Sequence, residues 1–332
     1  MRCYQHEEAF YAEIKLREEF EFPNQYFEEM YNYHRHESYT NLALSRAEKL
    51  CCITFESPDR TLADVFANVS KASIRSEQWI EKCCIVLKQL ATALKFLHSQ
   101  NFIHGHLVAT NIAKYGSIWK LGKLGTVSRI GTQMKGRFRP CVPPESIVLN
   151  SSSNQPNSKE KYRQMKNVSA PRVNFSPSVD EVGDDSRDDN TKNRLQLSDS
   201  HRDSAFISCF GIRMPKRIRD EQNFPPIAFV PERCMATTQW DMWGFGLIMV
   251  QILMGRCMLL PNFEKADDAI MKNLFKYDES TLKSICEQLE RVAGADAADL
   301  AMKLLQKNPT RRPKSFEDIL DHNYFKAITI DC

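Results

Sequence analysis

The sequence predicts a mixed α+β protein, with short strands in its first part and mainly helices in its second. Residues 50–55 are a short, partly β-branched apolar run that ends at a Ser-Pro-Asp turn, which is typical of a strand. Residues 79–99 carry apolar side chains at spacings of three and four, which predicts a long helix. From Trp240 to Phe325 the pattern is helical with short connections, so the C-terminal half is predicted to be mainly helical.

Two further elements and one irregular tract follow from local patterns. Residues 3–20 are predicted to form an amphipathic helix, which the segment Phe22-Pro23-Asn24 ends. Residues 118–121 are predicted to form a second short strand after a Tyr-Gly turn. Residues 150–226 are rich in Ser, Asn and Asp, and we interpret them as a disordered insertion that buries too little apolar surface to fold.

Composition excludes several classes of function. The net charge of +3 over 332 residues gives no reason to expect nucleic acid or a membrane surface as a partner. The 11 cysteines show no metal-binding spacing and their number is odd, which favours a reduced protein of the cytoplasm, with the nucleus as the alternative. The first residues do not form a signal peptide, and the apolar run 242–254 is too short to span a bilayer. We therefore expect other proteins as partners; the oligomeric state cannot be predicted.

The segment with the most chemical information is residues 102–112, followed by Lys123-Leu124-Gly125. It resembles the protein-kinase catalytic loop H-R-D-L-x-x-x-N and the later D-F-G. His104 and Asn111 match that pattern, whereas His106 stands at the catalytic aspartate and Lys123 at the metal-binding aspartate. The segment therefore resembles a phosphotransferase site that has lost both of its carboxylates.

Other segments resemble the same family in the family's own order. Glu13-Ile14 lies where the family's third helix carries the glutamate that pairs with the strand-3 lysine. Glu56 follows the strand that resembles the fifth strand, at the start of the segment that resembles the hinge. Asp241-Met-Trp-Gly-Phe-Gly246 resembles the D-x-W-S-x-G start of the sixth helix. Residues 304–313 resemble the closing L-x-x-x-P-x-x-R-P motif, which contains Arg312. The chain is thus similar to the serine/threonine-kinase-like catalytic domain.

The resemblance implies a protein-kinase-like fold with a largely complete helical C-lobe and an incomplete β-containing N-lobe. Residues 1–61 would be the partial N-lobe, with the third helix, strands 4 and 5 and the hinge. Residues 62–149 and 230–328 would be the C-lobe, and 150–229 the polar insertion. We expect no strand, glycine-rich loop or lysine before the helix, so that Glu13 lacks its family partner. An incomplete gene model is an alternative explanation of that absence.

The resemblance also assigns roles to single residues. His106 is the candidate catalytic residue, although a purely structural role is the alternative, and Asn111 is the remaining magnesium ligand. Glu13, Glu56 and Lys123 occupy nucleotide-site positions. ATP and Mg²⁺ are cofactors by family resemblance alone, because Lys123 places a cation where a dication would bind. Pro58 lacks the N–H that a hinge residue donates to adenine.

Four residues are expected to be structural: His104, Glu145, Asp241 and Arg312. Glu145 and Glu232 compete for the end of the activation segment, and the spacing of 22 residues from Lys123 favours Glu145. The resemblance implies that this glutamate pairs with Arg312. The sequence therefore predicts a pseudokinase that acts as a regulatory or interaction module. The alternative is an active ATP-dependent serine/threonine kinase, or a fragment of one, that phosphorylates proteins.

Overall fold

The computed structural model describes residues 2–4, 7–41, 46–68, 74, 76–134, 142–149, 227–229, 234–255 and 274–326. All of these residues belong to one compact unit, formed by Met1–Leu149 and Phe206–Cys332. The predicted α+β class is confirmed, since helices combine with small antiparallel sheets. The predicted disordered insertion at 150–226 lies outside the described residues, as does Glu232.

The secondary structure follows the chain in this order. The strands are β1 (Arg2–Tyr4), β2 (Met30–Asn41), β3 (Arg46–Phe55), β4 (Arg60–Thr61), β5 (Phe102–Ile103), β6 (Ile112–Tyr115), β7 (Ile118–Leu121), β8 (Ser128–Arg129), β9 (Ile147–Leu149) and β10 (Ile227–Phe229). The helices are α1 (Glu7–Glu19), α2 (Leu62–Asn68), α3 (Glu77–Ser99), α4 (Thr238–Met254), α5 (Glu279–Ala293), α6 (Ala295–Leu304), α7 (Phe316–Leu320) and α8 (Asn323–Lys326).

The first sheet has three strands in the order β1-β3-β2, all antiparallel. In its register Arg2 lies opposite Ile53, and Tyr33 lies opposite the same residue from the other side. The prediction of a helix over 3–20, with no strand before it, is wrong at its N-terminal end. Residues 2–4 pair with β3 instead, because the apolar face of α1 begins only at Phe10.

Helix α1 packs on this sheet through a small core of its own. Phe10 and Ile14 are buried against Cys51, Ile53 and Phe55 of β3. Phe10 and Ile14 are four residues apart, so they lie on one face of the helix. The helix ends at Glu19, four residues before Pro23. This face places Glu13, which lies beside Ile14, toward the interior.

The larger core lies between helices α3 and α4. Ser76 caps α3 by accepting the N–H of Trp79, and the apolar stripe of α3 is buried. Helix α4 is buried on almost all sides and ends at Gly255, whose φ of 64° is left-handed. Nearly every side chain of α4 is thus a core residue, and its first turn carries the buried Asp241.

Two of the C-terminal helices, α5 and α7, begin at side-chain caps. Asp278 caps α5 by accepting the N–H of Thr281, and that hydrogen bond, with those from the Ser280 and Thr281 hydroxyls, lowers the pKa of Asp278 to about 2. Ser315 and Asp318 form a capping box at α7. Within the described ranges, no helix combines the length and apolar character needed to cross a bilayer.

Candidate functional site

The loop that begins at His104 is held by one buried carboxylate. Asp241, which is 1% exposed, accepts the backbone N–H of His104 at 2.7 Å and that of Gly105 at 2.8 Å. The Asp241 carboxylate also lies 3.0 Å from Nε2 of His98. The indole N–H of Trp240 donates to the carbonyl of Gly105 at 3.0 Å. Helix α4 therefore fixes the start of the loop through its first turn.

A left-handed glycine is needed at the second position of this loop. Gly105 has φ 74°, and a Cβ there would approach the side chain of Met134 to 2.9 Å. An arginine, which the kinase motif that this loop resembles has at this position, would strain both the backbone and the packing. The local backbone therefore requires glycine at position 105.

His104, expected to be structural, lies in the core, and among the described residues its ring bonds only to the backbone. It is fully buried, its Nε2 lies 3.0 Å from the carbonyl of Gly122, and its Nδ1 accepts the N–H of His106 at 3.3 Å. Burial lowers the pKa of His104, so the ring is neutral. A neutral ring with one donating and one accepting nitrogen matches these two partners, and it joins the loop to the end of β7.

His106 stands where the resemblance places the catalytic aspartate, and one of its ring nitrogens, Nδ1, is engaged within the loop. The amide nitrogen of Asn111 lies 3.3 Å from Nδ1 of His106 and donates to the carbonyl of His106 at 3.0 Å. Burial lowers the pKa of His106 to about 4, and the nearby Lys123 ammonium adds to the effect. Since Nδ1 accepts from Asn111, the ring proton is on Nε2, and no lone pair is left to accept a proton from a substrate hydroxyl.

Asn111, the predicted magnesium ligand, serves the same loop. It is 2% exposed, and its carbonyl accepts the N–H of Gly122 at 2.8 Å. Its side-chain amide donates to His106, and its side-chain oxygen lies 3.5 Å from the Thr110 hydroxyl. Asn111 therefore connects the loop to the chain that follows β7.

Lys123 lies in a turn after β7 and has left-handed backbone angles, φ 57° and ψ 56°. Its N–H donates to the carboxylate of Glu28 at 2.9 Å, and the N–H of Leu124 donates to Glu13 at 3.3 Å. A residue other than glycine adopts this conformation at a cost on the order of 1 kcal/mol, which the surrounding contacts must offset. Two carboxylates from the N-terminal part of the chain supply those contacts.

Glu13, which was expected to lack the lysine partner of the family, is paired with two arginines instead. Arg2 of β1 lies 3.6 Å from Glu13, and Arg17, one turn along the helix, lies 3.3 Å from it. Tyr4 donates its hydroxyl to Glu13 at 2.5 Å. Burial and the Glu13 carboxylate raise the pKa of Tyr4, so the hydroxyl stays protonated. Strand β1 supplies the basic residue that the sequence pattern did not reveal.

Sequence reasoning missed a second acidic residue. Glu28 is 5% exposed and forms two hydrogen bonds with the Arg2 guanidinium, at 2.8 and 2.9 Å. Arg17 donates to the backbone carbonyl of Glu28 at 2.8 Å. The signal in the sequence is that Glu13 and Arg17 lie one turn apart beside the apolar face of α1. Charges in that position need partners from elsewhere.

A cavity of about 210 Å³ lies between these groups and the connection after β3. Its lining includes Arg2, Glu28, Pro58, Asn111 and Tyr115. Glu56, a predicted nucleotide-site residue, also lines it. Its carboxylate accepts two hydrogen bonds from the ammonium group of Lys120, at 2.6 and 2.8 Å. The walls of the cavity thus carry charges that are already paired with each other.

The structure brings together Arg312 and Glu145, the pair that the resemblance implies. The guanidinium donates to both carboxylate oxygens at 2.7 Å, in a bidentate pair. The Arg312 side chain is 0% exposed, whereas that of Glu145 is 29% exposed. Arg312 also donates to the carbonyls of Gln306 and Gln239 and lies 5.1 Å from the ring of Trp243. The pair therefore joins the segment before β9 to the helical core.

Metal ligands do not converge in the described part of the chain, where no group of three or more His, Cys, Asp or Glu side chains could hold a metal ion. The resemblance places the metal ligands of a kinase at Asn111 and Lys123. Of these two side chains only that of Asn111 carries an oxygen, while that of Lys123 is cationic. These two residues do not fit a magnesium ion.

No protein-family model matches this chain, and no curated protein matches it. Its function is therefore argued from the residues and contacts described above.

Proposed function

We propose that this chain is a catalytically defective protein-kinase-like domain that acts as a regulatory or interaction module for other proteins. The observation that carries the proposal is that His106 and Lys123 occupy the positions of both catalytic carboxylates in a loop that is otherwise firmly anchored. A site with intact supports and no catalytic groups is suited to recognition and not to turnover.

Four contacts support the kinase-like reading. Arg2, on the strand before α1, lies beside Glu13 of that helix. This contact resembles the lysine–glutamate pair of kinases. The bidentate pair of Arg312 and Glu145 matches the family's pairing of its closing motif with the end of the activation segment. The other two are the hydrogen bonds from the loop backbone to Asp241.

The order of the first sheet supports the same reading. Strand β1 precedes helix α1, and β2 and β3 follow it, with β3 in the centre of the sheet. Phe55 at the end of β3 leads directly into Glu56 and Pro58, at the position that resembles the hinge. Along the sequence, α1 therefore follows the strand that carries Arg2 and precedes the two strands β2 and β3, the second of which leads to the cavity.

The chemistry of the loop argues against phosphate transfer. The reaction needs a proton acceptor beside the attacking hydroxyl and metal ions on the phosphates. The His106 ring has a pKa of about 4 and its accepting nitrogen is engaged by Asn111, so it is a poor base near neutral pH. The Lys123 ammonium repels a divalent cation by simple Coulomb interaction.

The experiment is a phosphate-transfer assay with the purified full chain, radiolabelled ATP, Mg²⁺ and a general protein substrate. We expect transfer at background level in the wild type and in His106→Ala. The exposed His34 of β2 gives the matched control, His34→Ala. Transfer that is above background in the wild type and in His34→Ala, and is lost in His106→Ala, would establish an active kinase with histidine as its base.

A further inference from the structure

Four charged side chains form a closed cluster between α1, β1 and the start of β2. We call Arg2, Glu13, Arg17 and Glu28 the charge cluster. Glu28 lies 2.8 Å from Arg2 and 3.7 Å from Arg17, and Glu13 lies 3.6 Å from Arg2 and 3.3 Å from Arg17. Each carboxylate therefore touches both guanidiniums, and two positive charges balance two negative ones.

The cluster lies in the interior of the protein. The side chains of Glu13, Glu28 and Arg17 are 1%, 5% and 7% exposed, and that of Arg2 is 28% exposed. Both guanidiniums also lie over the ring of Phe55, at 4.4 and 5.1 Å. Water and salt screen such charges weakly, so loss of one member leaves its partners uncompensated.

The cluster is connected to the turn at Lys123 through both of its carboxylates. The N–H of Lys123 donates to Glu28, and the N–H of Leu124 donates to Glu13. The backbone N–H of Glu28 also donates to the carbonyl of Leu121, at 3.1 Å. The left-handed Lys123 is therefore held by groups that lie about a hundred residues away in the sequence.

Gly122 shows how closely the cluster approaches this turn. A Cβ on Gly122 would lie 2.8 Å from the carboxylate carbon of Glu28 and 2.8 to 2.9 Å from its oxygens. The Glu28 carboxylate thus lies directly against the backbone of the turn, in the space that a side chain at 122 would need. Glycine permits this approach because it has no side chain.

We propose that the charge cluster is an internal clasp that holds the turn at Lys123 and Leu124 in one conformation without any bound ligand. Kinases order the corresponding region with charges that come partly from the nucleotide and its metal ions. In this chain the Glu13 and Glu28 carboxylates and their two arginines supply those charges. The inference rests on the contacts of the cluster and holds whether or not the chain is related to kinases.

Amide hydrogen exchange of the full-length protein, with no nucleotide or metal added, tests the clasp. In the wild type we expect slow exchange at Lys123 and Leu124. Glu28→Gln keeps the shape of the side chain and removes its charge, so exchange at these two amides should rise by at least about tenfold as the turn opens locally. The control is Glu7→Gln, which removes a carboxylate from the exposed pair with Arg35 and should change neither amide.

A second variant, Gly122→Ala, reaches the cluster by a steric route. The new methyl group should displace the Glu28 carboxylate and raise exchange at the same two amides, with no change of charge. The clasp is refuted if both variants leave these amides within about twofold of wild type, since local opening would then not depend on the cluster. It is also refuted if exchange rises equally throughout α5 and α6. Neither result depends on ATP, so the outcome is independent of the phosphate-transfer assay.

Discussion

Two buried systems of charges in the described chain are stabilised in different ways. In the first, Arg312 is paired with one carboxylate, that of Glu145, and backbone carbonyls accept from its remaining donors. In the second, the charge cluster, each of two arginines contacts both of two carboxylates, and backbone N–H groups of the turn at Lys123 donate to these carboxylates. The first arrangement depends on one partner, whereas the second spreads the same task over four.

This difference predicts unequal responses to mutation. Removing the partner of a solitary buried charge leaves it uncompensated, which is the expensive case. In the charge cluster each residue has a second partner of opposite charge, so one substitution removes part of the compensation. The predictions below separate these two cases, from the largest expected effect to the smallest.

The largest effect is expected for the solitary pair. Glu145→Ala should lower the free energy of unfolding by about 3 kcal/mol, because Arg312 stays buried without its carboxylate. Urea denaturation measures the change. The matched control is Glu317→Ala, whose partner Lys95 is 45% exposed, and which should cost less than about 1 kcal/mol. Equal losses in the two variants would contradict the buried role of Arg312.

A smaller effect is expected when one member of the charge cluster is removed. Arg17→Met keeps most of the apolar part of the side chain and removes its charge, and it should cost about 2 kcal/mol. Arg2 remains beside both carboxylates and limits the loss. The loss in free energy of unfolding of this variant, measured by thermal and urea denaturation, should therefore lie between the losses of Glu145→Ala and Glu317→Ala. A loss larger than that of Glu145→Ala would show that the cluster does not share its charges.

The smallest effect concerns His106, which lies in the loop between the two systems. Its pKa is lowered to about 4 in the folded protein, below the ordinary value of 6.5, so the unfolded chain binds the proton more readily. The contribution to stability is therefore complete above the unfolded value and is lost as the pH falls toward 4. Linkage gives a loss on the order of 1 kcal/mol between about pH 7 and pH 6.

His106→Gln should remove this pH dependence while leaving that of the other groups. The measurement is urea denaturation of both proteins at several pH values, with an NMR titration of the His106 ring. A ring that titrates near its ordinary pKa would mean that the loop does not bury His106 as described.

The contact between Arg312 and Glu145 was easier to predict from the sequence than the charge cluster, for a physical reason. Arg312 and Glu145 each lie in a motif with a fixed spacing, so the two ends of their contact could be predicted separately. Arg2 and Glu28 lie in no motif, and they meet because β1 returns to the sheet beside α1. Propensity offers little for a strand of three residues, so the prediction of a helix from residue 3 was wrong there.

Helices were predicted more reliably than strands for a similar reason. The apolar stripe of α3 gave its bounds within two residues, and the short apolar strand β7 was predicted with its own bounds. Strand β2 was missed because residues 31–35, near its beginning, have exposed side chains and no buried apolar face. The strand exists through its pairing with β3, which local sequence does not encode.

We propose that the loop keeps a kinase-like scaffold without metal-dependent chemistry, and a thermal-shift titration with ATP is the sharpest test. The wild type is compared with and without Mg²⁺, beside Lys123→Asp, which places a carboxylate where the kinase motif that this segment resembles has its metal-binding aspartate. The account predicts a small shift of the melting temperature in the wild type that is the same with and without Mg²⁺. A large shift in the wild type that requires Mg²⁺ would contradict the account, because it would place a metal ion beside the Lys123 ammonium.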